Sequence, residues 1–179
     1  MAGLEQDTGT GGTTYDVVTA VSEDDGRAVF GVYDAVFGDQ PDYVAWRNGV
    51  WDRHAGRDGF RLARAHDERG LAGFAYGYTG KAGQWWTDRA AEALGPDVAG
   101  AWLGGHFELV SIGVRADARG RGVGRALMER LCDGLTQDRW VLMTSAEAED
   151  PARHLYARLR WEVLGPGLRE GQVIMGRRR

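Results

Sequence analysis

Three glycines and three arginines fall within seven consecutive residues, Arg119, Gly120, Arg121, Gly122, Val123, Gly124 and Arg125. Glycine tolerates backbone angles that other residues resist and lets a ligand approach the main chain closely. Arginine brings charge and forked donors suited to phosphate oxygens. If a helix begins here, its free N–H groups and the positive end of its dipole add to the same pull on an anion. Two well-known phosphate motifs do not fit. A P-loop needs a lysine after its last glycine, and Lys81 is the only lysine in the chain. A dinucleotide fingerprint needs Gly-x-Gly-x-x-Gly, whereas the spacing here is Gly-x-Gly-x-Gly. Rival chemistries find little support. His54, His66, His106 and His154 lack metal-ligand spacing, and no Gly-x-Ser-x-Gly elbow occurs. The lone Cys132 can form no internal disulfide and no Cys-rich metal site, and reads as a small apolar filler.

The turn needs a strand to deliver it and a helix to receive it. Val110, Ile112 and Val114 alternate with Ser111 and Gly113, so residues 107–114 predict a strand, followed by a helix over 125–136. The 179 residues suit a single domain, and the net charge of −4 argues against a general nucleic-acid binder. No apolar run reaches membrane-spanning length and no signal peptide is visible, so a cytoplasmic protein without a membrane partner is expected. Residues 1–14 predict a disordered tail, 15–176 the domain, and 177–179 a solvated tail. Within the domain, 15–21 reads as a strand. Ser22 caps a first helix, and Pro41 begins a second that ends near His54, a surface or capping histidine. Residues 60–66 and 71–78 form a hairpin turned at Gly70; Gly73 and Gly77 mark a bulge or a close approach of another segment. Two helical stretches between Gln84 and Leu103 make a helical insert over 79–106, in which Trp85, Trp86 and Trp102 are expected to pack. A strand at 139–145, a helix capped by Asp150 with Pro151 at its first position, and two last strands complete the chain.

The run from Arg119 to Gly124 resembles the acyl-CoA turn of the GNAT superfamily of N-acetyltransferases, Arg/Gln-x-x-Gly-x-Gly/Ala. Leu155, Tyr156 and Trp161 then match the Leu-Tyr-x-x-x-Gly-Phe end of a second GNAT motif; Arg160 replaces its glycine and its usual asparagine is missing. The resemblance implies an α/β (α+β) fold, a mixed, mostly antiparallel sheet of six to seven strands flanked by helices. The fourth and fifth strands, here 107–114 and 139–147, would splay apart. It implies acetyl-CoA as cosubstrate, with no metal. Amides of Ile112, Gly113 and Val114 would hold the pantetheine arm, and residues Arg119, Gly120, Arg121, Gly122, Val123, Gly124 and Arg125 the pyrophosphate. Acetyl transfer to an amine needs a base, a donor for the carbonyl oxygen and an acid for the leaving sulfur. By resemblance Glu108 is the candidate base acting through water, Tyr156 the candidate acid, and the amide near Ile112 the oxyanion donor. Ser111 and His106 are alternative bases; the plain reading of Glu108 is an exposed strand glutamate or a structural ion pair, and that of Tyr156 a core tyrosine. Trp85, Trp86, Tyr76 and Ser111 are candidates for contact with the acceptor. That acceptor is expected to be a small-molecule or peptide amine, without nucleic acid, and many relatives are homodimers. A noncatalytic CoA-binding module and a protein or aminoacyl-tRNA acetyltransferase stay open.

Overall fold

The computed structural model describes Asp7–Gly9 and residues 12–179. Eight strands form one sheet in the order β1-β2-β3-β4-β5-β6-β8-β7. They are β1 (Asp7–Gly9), β2 (Thr13–Val18), β3 (Arg61–Asp67), β4 (Gly70–Gly80), β5 (His106–Val114), β6 (Arg139–Ser145), β7 (Glu162–Pro166) and β8 (Gln172–Arg178). The pairings β1–β2, β2–β3, β3–β4, β6–β8 and β7–β8 are antiparallel, and β5–β6 is parallel. The fold is thus the mixed, mostly antiparallel sheet expected, with β1 as an additional strand. β1 and the start of β2 correct the expected N-terminal tail, because Asp7–Gly9 pairs with Thr13–Tyr15. The rest of that tail, residues 1–6, 10 and 11, lies outside the described residues. The parallel pairing is short. β5 and β6 match only at Phe107↔Trp140 and Glu108↔Val141, although β5 continues to Val114 and β6 to Ser145.

Contacts divide the chain into two compact units. One comprises Met1–Gly77 and Ser111–Asp133. Its helix α1 (Glu23–Phe37) opens with a capping box between Ser22 and Asp25 and buries Val29 and Val32. Arg64 on β3 binds both Asp16 on β2 and Asp25 on α1, which ties sheet to helix at a half-buried site. The expected second helix is interrupted. Asp42 caps α2 (Tyr43–Trp46), a π-helical turn spans Arg47–Trp51, and α3 (Asp52–Ala55) follows. In a regular helix, side chains five residues apart point away from each other. The π turn, with the Asp52 N–H reaching the Arg47 carbonyl, brings Trp46 and Trp51 onto one buried face. There they stack at 5.0 Å. His54, expected at the surface or as a cap, is half-buried in the last turn of α3, where its carbonyl accepts from the Gly56 N–H and its Nδ1 lies 3.1 Å from the Tyr76 hydroxyl. The β3–β4 hairpin turns at Gly70 (φ 104), and the bulge falls at Ala72 rather than at a glycine, as Ala65 faces Gly73 and His66 faces Leu71. Gly73 does mark a close approach: a Cβ there would meet the Gly113 carbonyl at 3.0 Å.

The other unit comprises Tyr78–Val110 and Gly134–Arg179. The insert folds as α4 (Trp85–Leu94) and α5 (Pro96–Trp102), reached from β4 through the exposed Lys81. Ala90, Trp102, Val141 and Ile174 form a buried cluster joined by Trp86, Leu94 and Leu164. Helix α7 (Pro151–Arg158) starts at the Asp150 cap as expected. The expected tail at 177–179 is corrected, because β8 extends to Arg178. Arg177 lies over the Trp140 ring and Arg178 over Trp102, so the charges are held by aromatic faces.

Candidate active site

The glycine turn follows β5 through a 3₁₀ turn (Ala116–Ala118) and enters helix α6 (Val123–Cys132). Helix α6 begins two residues earlier and ends four earlier than expected. Val123, Leu127, Met128 and Leu131 bury its inner face. Gly134, with φ 69, marks the change of direction beyond its end. The turn takes its shape from Gly120 (φ 74) and Gly122 (φ 81), both in the left-handed region. The first helical bond runs from the Ala126 N–H to the Gly122 carbonyl, and no side chain caps the helix. The amides of Val123, Gly124 and Arg125 precede that bond, and a Cβ on Gly120 or Gly122 would meet no atom within 4 Å. Open space, uncapped amides and a helix N-terminus suit a phosphate.

Charge around the turn is distributed unevenly. Arg121 is exposed and lines a recess of about 320 Å³ with Gly12, Asp67, Glu68, Arg69 and Asp117. Arg119 folds back, its Nε donating to the Val114 carbonyl at 3.0 Å, and Arg125 pairs with Glu129 at 2.8 Å. The sequence reading missed Arg115, which fixes the entrance. Its main-chain N–H donates to Ala72, and its guanidinium reaches the Leu71 carbonyl, Asp67 and Asp117. The Arg69 main-chain N–H, and then Arg115, hold the Asp67 carboxyl below the usual range, and the hydrogen bond from Arg115 does the same for Asp117. Its spacing from the glycines was visible in the sequence, but its hairpin partners were not. Ser111, Ile112 and Val114 are half-buried on the same unit, and Gly113 is buried against Phe74. Tyr76 is 1% exposed within an aromatic group that includes Trp51, Phe60 and Phe74.

The remaining candidates belong to the second unit. Glu108 is 4% exposed, and its Oε1 accepts from the Tyr78 hydroxyl at 3.1 Å. His106 is fully buried, its Nδ1 accepting from the Gly104 N–H, and its ring fills the space where a side chain on Gly80 would sit. Burial, then the charge of Arg139, lowers its pKa to about 4, so it is neutral at physiological pH. Tyr156 is buried on α7; burial, then the negative charge of Asp150, raises its pKa, which keeps the hydroxyl protonated. Of the insert tryptophans, Trp86 and Trp102 pack as expected, whereas Trp85 is 66% exposed. The substituted GNAT motif also has a structural account. The Trp161 N–H bonds the Tyr156 carbonyl, the Arg160 N–H bonds that of Ala157, and the Tyr156 and Trp161 rings lie 6.1 Å apart. This is a Schellman ending with its hydrophobic contact, and the residue it places in the left-handed region is Arg160, at φ 63.

A family model described as the acetyltransferase (GNAT) family matches residues 33–160. The chain belongs to the GNAT acetyltransferase family. The family is one of acetyltransferases, and the uncapped glycine turn offers main-chain amides to an anion. A GCN5-like protein acetyltransferase of Mycobacterium tuberculosis is 40% identical over 96 residues, covering 50% of this chain and 47% of the relative. The chain therefore spans about half the length of that curated relative. Among solved structures, a Thermus thermophilus acetyltransferase aligns with TM-score 0.65 at 16% identity, over 92% of this chain and 97% of its own. The Escherichia coli ribosomal-protein-S18-alanine N-acetyltransferase aligns with TM-score 0.59 at 17% identity, over 90% and 92%. At these identities the structures speak for the fold. Among the described residues, no group of His, Cys, Asp or Glu is arranged to hold a metal, and no helix is long and apolar enough to cross a membrane.

Proposed function

We propose that this GNAT protein acetylates an amine, with Glu108 as the base and Tyr156 as the acid. The observation that carries the reading is the uncapped start of α6 behind two left-handed glycines, within a chain matched by the GNAT family. Val123, Gly124 and Arg125 would offer their amides to the pyrophosphate, with Arg121 adding charge. Ile112, Gly113 and Val114 would offer main-chain groups to the pantetheine arm in the manner of an added strand. When bound, acetyl-CoA supplies an activated thioester carbonyl. Glu108 then removes a proton from the attacking amine, directly or through water, and Tyr156 keeps its proton on the hydroxyl until the sulfur needs it.

A protein amine is the acceptor that one observation favours, the 40% identity to a GCN5-like protein acetyltransferase. The test begins with calorimetric titration of acetyl-CoA into wild type and an Arg121→Glu, Gly122→Asp double variant. Binding to wild type alone is expected. Turnover is then read as free-thiol release in Glu108→Gln and Tyr156→Phe, each expected to fall by about 10²-fold or more with binding retained. Binding with no turnover on any amine, peptide amines included, would leave a noncatalytic CoA module. Absence of binding to wild type would end the enzyme reading.

A further inference from the structure

Glu108 and Tyr78 are both buried, at 4% and 2% exposure, and they meet at 3.1 Å. Phe74, Tyr76 and Tyr78 alternate along β4 as buried aromatics. Phenylalanine would fill position 78 with nearly the same volume, so the hydroxyl there calls for a polar partner. We infer that Tyr78 is a positioning residue for Glu108, its O–H holding the carboxylate in one orientation and favouring its ionised form. This rests on Glu108 being the base proposed above. The phenol has only two rotatable side-chain bonds and is packed in a strand, so it fixes the more flexible glutamate. A hydrogen bond donated to a carboxylate stabilises the charged state, which is the state a base needs. The other titratable group on this face of β5 is His106, two residues earlier, and β6 places the apolar Val141 opposite Glu108.

The test uses the full chain labelled with ¹³C at the glutamate carboxyl, the Glu108 signal being assigned by its loss in Glu108→Gln. In Tyr78→Phe the Glu108 titration midpoint is expected to rise by about one pH unit. Replacing Tyr78 by fluorotyrosine, a stronger donor of similar shape, should lower it, which keeps the test decisive if the phenylalanine variant folds poorly. Turnover in Tyr78→Phe should fall with the KM for acetyl-CoA unchanged, and the double variant should be no slower than Glu108→Gln alone. A midpoint that ignores both replacements would overturn the inference. A midpoint that moves while Glu108→Gln keeps full turnover would uphold the hold of Tyr78 on Glu108 and remove the base assignment instead.

Discussion

Arg160 is the one non-glycine at positive φ among the described residues, and it occupies the place where the GNAT motif has glycine. A left-handed residue with a Cβ crowds its own carbonyl, at a cost of about 1 kcal/mol. The helix accepts that cost because two main-chain bonds and the Tyr156–Trp161 contact over-determine the ending. Arg160→Gly should therefore raise stability by about 0.5–1 kcal/mol, read as a higher urea midpoint with unchanged slope. A lower midpoint would show that the arginine makes a compensating contact. The same bonds explain why the Tyr and Trp of the motif keep their spacing. One sits at the third residue before the cap and the other two residues beyond it, and a change in spacing would break their contact.

At the scale of elements, the π turn at Arg47–Trp51 behaves as one extra residue inserted into a helix. Gly49 is exposed, and a side chain there would meet nothing within 4 Å. Deleting Gly49 should relax the segment to regular helix and leave the tryptophans four residues apart, still on one face. The expected result is a folded protein that keeps its aromatic near-ultraviolet circular dichroism; loss of that signal would show that the wider turn is required. Local features of this kind mark the limit of what the sequence disclosed. Ser22, Gly70, Asp150 and the positive-φ glycines of the turn were legible because caps and turns depend on a few neighbouring residues. The π turn was hidden because its tryptophans show no helical period. Tyr78 and Arg115 were hidden because their partners come from other strands, at separations of 30 and up to 48 residues. The arginines at the C-terminus looked solvated because a charge run says nothing about aromatic rings on a neighbouring strand or helix.

At the scale of the molecule, each compact unit contains one imidazole held neutral, the half-buried His54 in the first and the fully buried His106 in the second. Burial is the leading cause in both, joined by Arg57 and Arg53 around His54 and by Arg139 near His106, and each pKa is lowered from 6.5 to about 4. The unfolded chain takes up these protons below about pH 6.5, whereas the folded chain resists them until about pH 4. Stability from this source is complete above pH 6.5 and declines as the pH falls to 4, by up to about 3 kcal/mol for each histidine. Urea midpoints measured across that window should drop steadily, and His106→Asn should make the decline shallower; a flat profile would contradict the burial of both rings. The exposed Lys81, at the junction between β4 and α4, has another use. It carries the only lysine amine of the sequence in a chain with 21 arginines. Reductive methylation with ¹³C formaldehyde would thus install a single lysine-borne reporter at the entrance to the tryptophan-bearing helices, leaving every guanidinium untouched.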